Sequence, residues 1–293
     1  MKQLVKRLIN GILFPLGLRI TRKKPNLNPY FHDIKNSFVI SEKIEEQFEI
    51  ELVNTIYTTF KNSLTLKQFS WQNIASEVSN FLTLYKNRPI VFDDNAGGSG
   101  FDNSLWIYIV NKLLQPSLIV ESGVWKGQTS WILESACPES EIHGFDISLK
   151  ELKHESTLID FHATDWSTYY IKVYPGKRGL CFFDCHINHI KRLKEAQKRG
   201  FEFVLLDDNV PAHLVHAFAS PPLPSLEMAL NGNFKVGDEI EWLFRGNRKS
   251  YKFDETILFD PSELIDEYII FPDIGTRTRY GKYSFLSWVK LKI

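Results

Sequence analysis

The spacing of apolar residues divides the chain into a helical first part and a second part in which strands and helices alternate. Apolar positions recur every three or four residues in 42–61, 71–85 and 103–114, which predicts three helices. After residue 116, short apolar runs predict strands, and longer periodic segments between them predict helices. The predicted strands are 117–121, 142–146, 158–162, 180–184 and 201–207, with last strands from 242–244, 267–271 and 284–291, and the predicted helices are 128–136 and 186–199.

Strands that alternate with helices are typical of an α/β fold, with a mostly parallel sheet and helices on both faces. In such sheets ligands bind beyond the carboxyl ends of the strands. We divide the chain into a basic N-terminal helix at 1–24, a helical cap with a glycine-rich loop at 25–100, and the α/β domain at 101–293. The glycine-rich stretch 93–100 either covers a ligand or links two domains. Prolines mark 211–250 as a lid-like insertion.

Residues 1–24 combine apolar positions at helical spacing with seven lysines and arginines. Lys6 and Arg7 interrupt the apolar stretch, so the segment does not fit a signal peptide. One interpretation is a helix that lies on an anionic membrane surface, which would make the protein membrane-peripheral. The other, which we favour, is a helix that docks on its own domain or on a second subunit of a homo-oligomer.

Composition narrows the possible partners and the compartment. The 35 basic residues balance 35 acidic ones, so charge gives no case for a nucleic-acid partner. The three cysteines form no zinc-type CxxC pair, and we interpret them as reduced thiols of a cytoplasmic protein. No apolar run reaches the ~18–20 residues that span a bilayer.

The turn after the first predicted strand reads ESGVWKGQT. Gly123 and Gly127 suit a backbone that turns sharply and approaches a ligand. The spacing differs from the G-x-G-x-x-G of dinucleotide sites, which argues against a nicotinamide-dependent enzyme. The acidic Glu121 suits a cofactor that carries an amino group and positive charge. Asp146 ends the next strand, where it can accept both ribose hydroxyls or cap a helix.

Two further strand ends carry candidate chemistry. Asp184 is followed by His186, and Asp208 by Asn209. Neighbouring parallel strands would bring these groups together, and their oxygens suit Mg²⁺, Ca²⁺ or Mn²⁺. His186 is a candidate general base because histidine titrates near neutrality. The alternative is that the two aspartates cap helices and that Asp207 is solvated.

The pattern E-x-G-x-W-x-G-x-T resembles motif I of class I S-adenosylmethionine-dependent methyltransferases. It is especially similar to the metal-dependent catechol and caffeoyl-coenzyme A O-methyltransferases, and the region 117–209 also looks like cephalosporin hydroxylase-type proteins. The resemblance implies a Rossmann-like methyltransferase fold with a mostly parallel seven-stranded sheet and a helical N-terminal extension. The cofactor residues that it implies are Glu121, Gly123, Trp125, Gly127 and Thr129, with Asp146 on the ribose and Asp165 near the adenine.

By the same resemblance, Asp184, Asp208 and Asn209 hold a divalent cation that orients and acidifies an acceptor hydroxyl. The family places its catalytic lysine where this chain has Ile187, so His186 and His189 are the candidate bases, of which His186, next to Asp184 at the strand end, is the better placed.

We therefore expect an S-adenosylmethionine-dependent O-methyltransferase that acts on a hydroxylated small molecule or glycan. The alternative is a non-catalytic binding or assembly protein with the same fold, acting in glycan or secondary-metabolite biosynthesis, because a fold does not fix a function.

Overall fold

The computed structural model describes residues 42–92, 98–218, 220–274 and 284–293. The predicted N-terminal helix at 1–24 lies outside the described residues. The three helices predicted in the first part are present, and Ser70 caps the second by accepting a hydrogen bond from the N–H of Asn73. The helices in chain order are α1 (Glu42–Lys61), α2 (Trp71–Lys86), α3 (Phe101–Leu114), α4 (Gln128–Ala136), α5 (His189–Lys198), α6 (Leu226–Asn231) and α7 (Pro261–Leu264).

The main sheet has seven strands in the order β3-β2-β1-β4-β5-β9-β8. The first five in this order are parallel, and β9 is antiparallel to both β5 and β8. The predicted mostly parallel, seven-stranded sheet is confirmed. Its strands are β1 (Leu118–Ser122), β2 (Glu141–Asp146), β3 (Ile159–Ala163), β4 (Gly179–Phe183), β5 (Phe203–Leu206), β8 (Ile265–Ile270) and β9 (Ser287–Leu291).

Helices cover both faces of this sheet. Val120 of β1 shares a buried apolar cluster with Ile190 and Leu193 of α5. The next residue, Glu121, accepts a hydrogen bond from Ser130 of α4. Because successive side chains of a strand point to opposite faces, α4 and α5 lie on opposite sides. The predicted Rossmann-like layering is therefore present.

The segment 242–244 was predicted as a strand of the main sheet, and that prediction is wrong. It belongs to β6 (Glu239–Phe244), which pairs with β7 (Asn247–Lys252) in a separate hairpin. Arg245 and Gly246 between them both have positive φ, at 51° and 84°. A two-residue turn of this kind matches the twist of an antiparallel pair, so the hairpin forms locally.

A buried carboxylate joins the helical first part to the antiparallel edge of the sheet. Glu267 of β8 accepts hydrogen bonds from the Ser63 hydroxyl at 2.5 Å and from the Leu64 N–H at 2.6 Å. The N–H of Thr65 and the indole of Trp288 on β9 donate to it as well. The chain following α1 is thus fixed to β8 and β9. Among the described residues, none of the helices has the length and apolar character needed to cross a membrane.

Candidate functional site

A cavity of about 440 Å³ lies where the parallel strands end. The last residues of β1 and β2 line it, and so do the residues that directly follow β3, β4 and β5, so the sheet itself positions the lining. This is the place at which open α/β sheets bind ligands. The lining residues from the strand ends are Ser122 and Gly123, Phe145 and Asp146, Thr164, Asp184, and Asp207 and Asp208.

The turn between β1 and α4 requires glycine at its first bend. Gly123 has a φ of +103°, and a Cβ there would lie 2.5 Å from the carbonyl carbon and oxygen of Asp184. No side chain fits that space, so the turn can press against the end of β4. Gly127, with a φ of +84°, is the residue directly before α4. The predicted sharp strand-to-helix turn is present, with Gly123 and Trp125 on the cavity.

Asp146 fixes the far side of this turn. One carboxylate oxygen accepts the N–H of Trp125 at 2.9 Å, and the other accepts the N–H of Ser148 at 3.1 Å. A carboxylate has about four lone-pair directions, so both oxygens keep acceptor capacity. Asp146 faces the cavity from the end of β2, beside β1. It therefore combines a structural role in the turn with a free acceptor edge.

Glu121 was predicted to line the cofactor pocket, but the structure places it outside the described lining. Its side chain is fully buried, and Oε2 accepts a hydrogen bond from Ser130 at 2.5 Å. Burial raises the pKa of Glu121 to about 8, with the charge of Asp146 adding to the rise and Ser130 opposing it. The strand period explains this position, because Glu121 points toward α4 while the chain enters the cavity after it.

Gly127 and Thr129 also lie outside the described lining. The Thr129 hydroxyl is 2.9 Å from that of Ser99, and Gln128 donates to the Ser99 carbonyl at 2.7 Å. Gly98 and Gly100 on either side of Ser99 line the cavity. The start of α4 therefore holds the end of the glycine-rich loop against the site. The remainder of the loop, 93–97, lies outside the described residues, and both of its predicted roles stay predictions.

The acidic groups at the ends of β4 and β5 converge as expected. One ligand atom each from Asp184, His186 and Asp208 lies within 4.8 Å of the others. The Nδ1 of His186 is 3.6 Å from an oxygen of Asp208. Burial and the charges of Asp207 and Asp208 hold the pKa of Asp184 well above its usual range. A bound cation reduces the electrostatic repulsion between carboxylates that lie this close together.

Asn209 does not join this set. Its Oδ1 accepts the N–H of Glu227 at 2.8 Å, and its amide donates to Tyr268 and Ser287 at 2.7 and 2.8 Å. The side chain is fully buried with these partners, so it supports the loop after β5. The hydrogen bonds of Asn209 therefore engage it in the loop, and the predicted metal-ligand set of Asp184, Asp208 and Asn209 stays a prediction.

Asp207 is buried rather than solvated, and its partners were not predicted from the sequence. It accepts hydrogen bonds from Asn103 at 3.0 Å and from the Ser284 hydroxyl. All three residues line the cavity. Asn103 comes from the first turn of α3 and Ser284 from the chain before β9, so no local spacing could have linked them. The paired Asp207-Asp208 was the available signal.

Asp165 lies on the cavity, and its carboxylate is already engaged. Arg192 of α5, whose side chain is fully buried, donates to both carboxylate oxygens, and the N–H of Ser167 donates at 2.9 Å. Burial raises the pKa of Asp165, but these hydrogen bonds outweigh it and lower the pKa to about 2. Asp165 thus stays ionised, and its role in adenine binding stays a prediction.

No protein-family model and no curated protein matches this chain. Among solved structures, a CmcI structure with SAH is 19% identical, over 38% of this chain and 62% of that one, with a TM-score of 0.34. A methyltransferase from Geobacter sulfurreducens is 13% identical, over 60% and 94%, with a TM-score of 0.39. The O-methyltransferase TomG from Streptomyces achromogenes, in complex with SAM, is 16% identical, over 69% and 96%, with a TM-score of 0.36.

The three CmcI structures at the head of these matches are covered over only 56–63% of their length. With TM-scores below 0.5, these likenesses assign no activity to the chain. The sheet order and the cavity carry the functional argument.

Proposed function

We propose that this chain is an S-adenosylmethionine-dependent methyltransferase that methylates a hydroxyl group of a small-molecule or glycan acceptor with the help of a divalent cation. One observation carries the proposal. The Gly123 turn, the Asp146 carboxylate and the Asp184, His186 and Asp208 cluster all face a single cavity at the carboxyl ends of parallel strands.

The cofactor half of the cavity fits a nucleoside with a charged tail. Asp146 retains acceptor capacity for ribose hydroxyls beside the turn that it stabilises. Gly123 lines the cavity, and its lack of a side chain lets the turn pack directly against the Asp184 backbone. Ile147, which is 85% exposed beside Asp146 on the same cavity, offers apolar surface to an adenine ring.

The acceptor half fits a hard cation. A divalent ion held by Asp184 and Asp208 would lower the pKa of an acceptor hydroxyl and fix its position. Burial lowers the pKa of His186, so its ring is neutral near pH 7 and able to take a proton or to complete the ligand set. Ile187, at the place of the family's lysine, offers no titratable group.

Cofactor binding tests this proposal directly. We expect S-adenosylhomocysteine to bind purified, ligand-free protein in titration calorimetry and to raise the melting temperature. Asp146→Ala should weaken binding by about tenfold or more, because it removes the ribose acceptor and the turn's support. Asp254→Ala is the matched control, since Asp254 also accepts an N–H two residues on but lies outside the described lining.

Absence of binding to the wild-type protein at saturating ligand would overturn the proposal, as would equal losses in Asp146→Ala and Asp254→Ala. Binding without methyl transfer to any hydroxylated acceptor would favour the non-catalytic alternative, for which Ile187 is the supporting observation. A role of residues 1–24 at a membrane or a second subunit stays a prediction, as does a cytoplasmic location.

A further inference from the structure

A second group of possible metal ligands lies on the edge of the sheet, outside the described cavity lining. In the parallel pair of β2 and β3, His143 is opposite Asp160 and Phe145 is opposite His162. Residues two apart on a strand share a face, and so do register partners. His143, Asp160 and His162 therefore lie on one face of the last two strands.

The three side chains converge on a common point. The Nδ1 of His143 is 3.1 Å from the Nε2 of His162, and each of these nitrogens is 3.9 Å from the same oxygen of Asp160. A point in the plane of the three atoms lies about 2.1 Å from each, which matches Zn–N bonds of ~2.0–2.1 Å and Zn–O bonds of ~2.0–2.2 Å.

Neighbouring groups set the tautomer of His143 and the orientation of the His162 ring in a way that suits metal binding. The Nε2 of His143 is 2.8 Å from a carboxylate oxygen of Glu141. A carboxylate accepts a hydrogen bond, so Nε2 carries the proton and the lone pair of Nδ1 faces the cluster. The His162 ring lies against Phe145 and Tyr169, with centroids 4.6 and 4.4 Å away, which fixes its orientation.

Burial gives the cluster an inner and an outer side. The side chains of His143 and His162 are only 10% and 15% exposed, whereas Asp160 is 72% exposed. An ion can therefore enter past Asp160, with water in its remaining position. Two imidazoles and one carboxylate suit zinc better than magnesium, which prefers oxygen ligands only.

We propose that His143, His162 and Asp160 form a Zn²⁺-binding site, with Glu141 orienting His143. The site ties the edge strand β3 to β2, and it is independent of the cation proposed for the cavity. It does not rest on the proposed function. The competing explanation of the 3.1 Å contact is a hydrogen bond from His162 Nε2–H to His143 Nδ1, with no metal.

Metal titration of the untagged full chain separates these explanations. An Asp208→Asn background weakens the cluster in the cavity, so that added ZnCl₂ reports the edge site. We expect one equivalent of Zn²⁺ to bind in calorimetry, and Co²⁺ to give a visible d–d absorption band that Zn²⁺ abolishes. Asp160→Asn should weaken Zn²⁺ binding about tenfold or more, and His162→Gln should remove it.

His154→Gln is the matched control. His154 has a similarly buried ring 2.7 Å from the Glu134 carboxylate, without a second histidine beside it, so its loss should leave Zn²⁺ binding unchanged. Circular dichroism checks that His162→Gln is folded, and Asp160→Asn changes only an exposed side chain. Failure of Zn²⁺ to bind, or equal binding in Asp160→Asn and the background protein, would overturn the proposal.

Discussion

At the scale of the residue, Glu121 is a carboxylic acid that is fully buried. Its Oε1 has no hydrogen-bond partner among the described residues, and burial raises its pKa from 4.5 to about 8. Between these values the folded state holds a proton that the unfolded chain has lost. The contribution of this group to stability is therefore fully present below pH 4.5 and is lost as the pH rises toward 8.

We predict that Glu121→Gln removes this pH dependence. The free energy of unfolding of the wild-type protein should fall relative to the variant by up to about 1.4 kcal/mol per pH unit between pH 5 and 8. Urea unfolding of both proteins across this range measures the difference. Parallel curves would show that Glu121 is ionised in the folded state. Other titrating groups cancel because they are common to both proteins.

Residue-level roles were only partly predictable from the sequence. Acids at the ends of apolar runs pointed to Asp146, Asp184 and Asp208, and all three line the cavity, while their roles in binding stay predictions. The direction of each side chain depends on the turn after the strand, and Asp208 has a φ of 52°. That turn sends Asp208 and Asn209 to different sides. The fact that Asp208 and Asn209 are consecutive polar residues does not show that their side chains point to different sides.

At the scale of the element, the spacing of apolar residues predicted where strands and helices lie, but not the residues at which they begin. The helix predicted at 186–199 begins only at His189, because the Asn188 side chain caps it by accepting the N–H of Lys191. His186 is left in the loop, with a φ of 54°, where it can reach Asp208. The period of apolar residues indicates a helix but not its first residue, which in this case decides the chemistry.

Glu267 gives the strongest prediction about how elements are held together. Glu267→Ala should lower the free energy of unfolding by about 3–5 kcal/mol, because it leaves buried donors from the chain after α1 and from β9 without an acceptor. Urea denaturation measures the loss. Glu263→Ala, at an exposed position nearby, should change it by less than about 0.5 kcal/mol.

Similar losses in Glu267→Ala and Glu263→Ala would mean that the helical first part is held mainly by apolar packing. The stacked rings of Trp106 on α3 and Phe271 after β8, 4.4 Å apart, are the contact that would then dominate. Neither contact was visible in the sequence, since each joins segments more than 150 residues apart.

At the scale of the whole molecule, the sheet brings together charges that the sequence keeps apart. Parallel β4 and β5 end side by side, so Asp184, Asp207 and Asp208 share one cavity wall. The order of the strands produces this repulsion near the middle of the sheet, and it also produces the pairing of His143 with Asp160 at the β3 edge. The alternation of strands and helices predicted a parallel sheet. This alternation does not determine the order of the strands in the sheet.

This crowding predicts opposite effects of one substitution with and without magnesium. In EDTA, Asp208→Asn should raise the melting temperature by about 2–4 °C, because it removes about 1 kcal/mol of repulsion against Asp184. Asparagine also tolerates the positive φ at this position. With saturating Mg²⁺ the wild-type protein should gain stability and the variant should not. Scanning calorimetry of both proteins, with and without Mg²⁺, measures the four values.

Asp160→Asn should respond to Mg²⁺ like the wild-type protein, because magnesium avoids imidazole ligands. An equal Mg²⁺ response in Asp208→Asn would place the magnesium effect outside the cavity and remove the cation from the proposed mechanism.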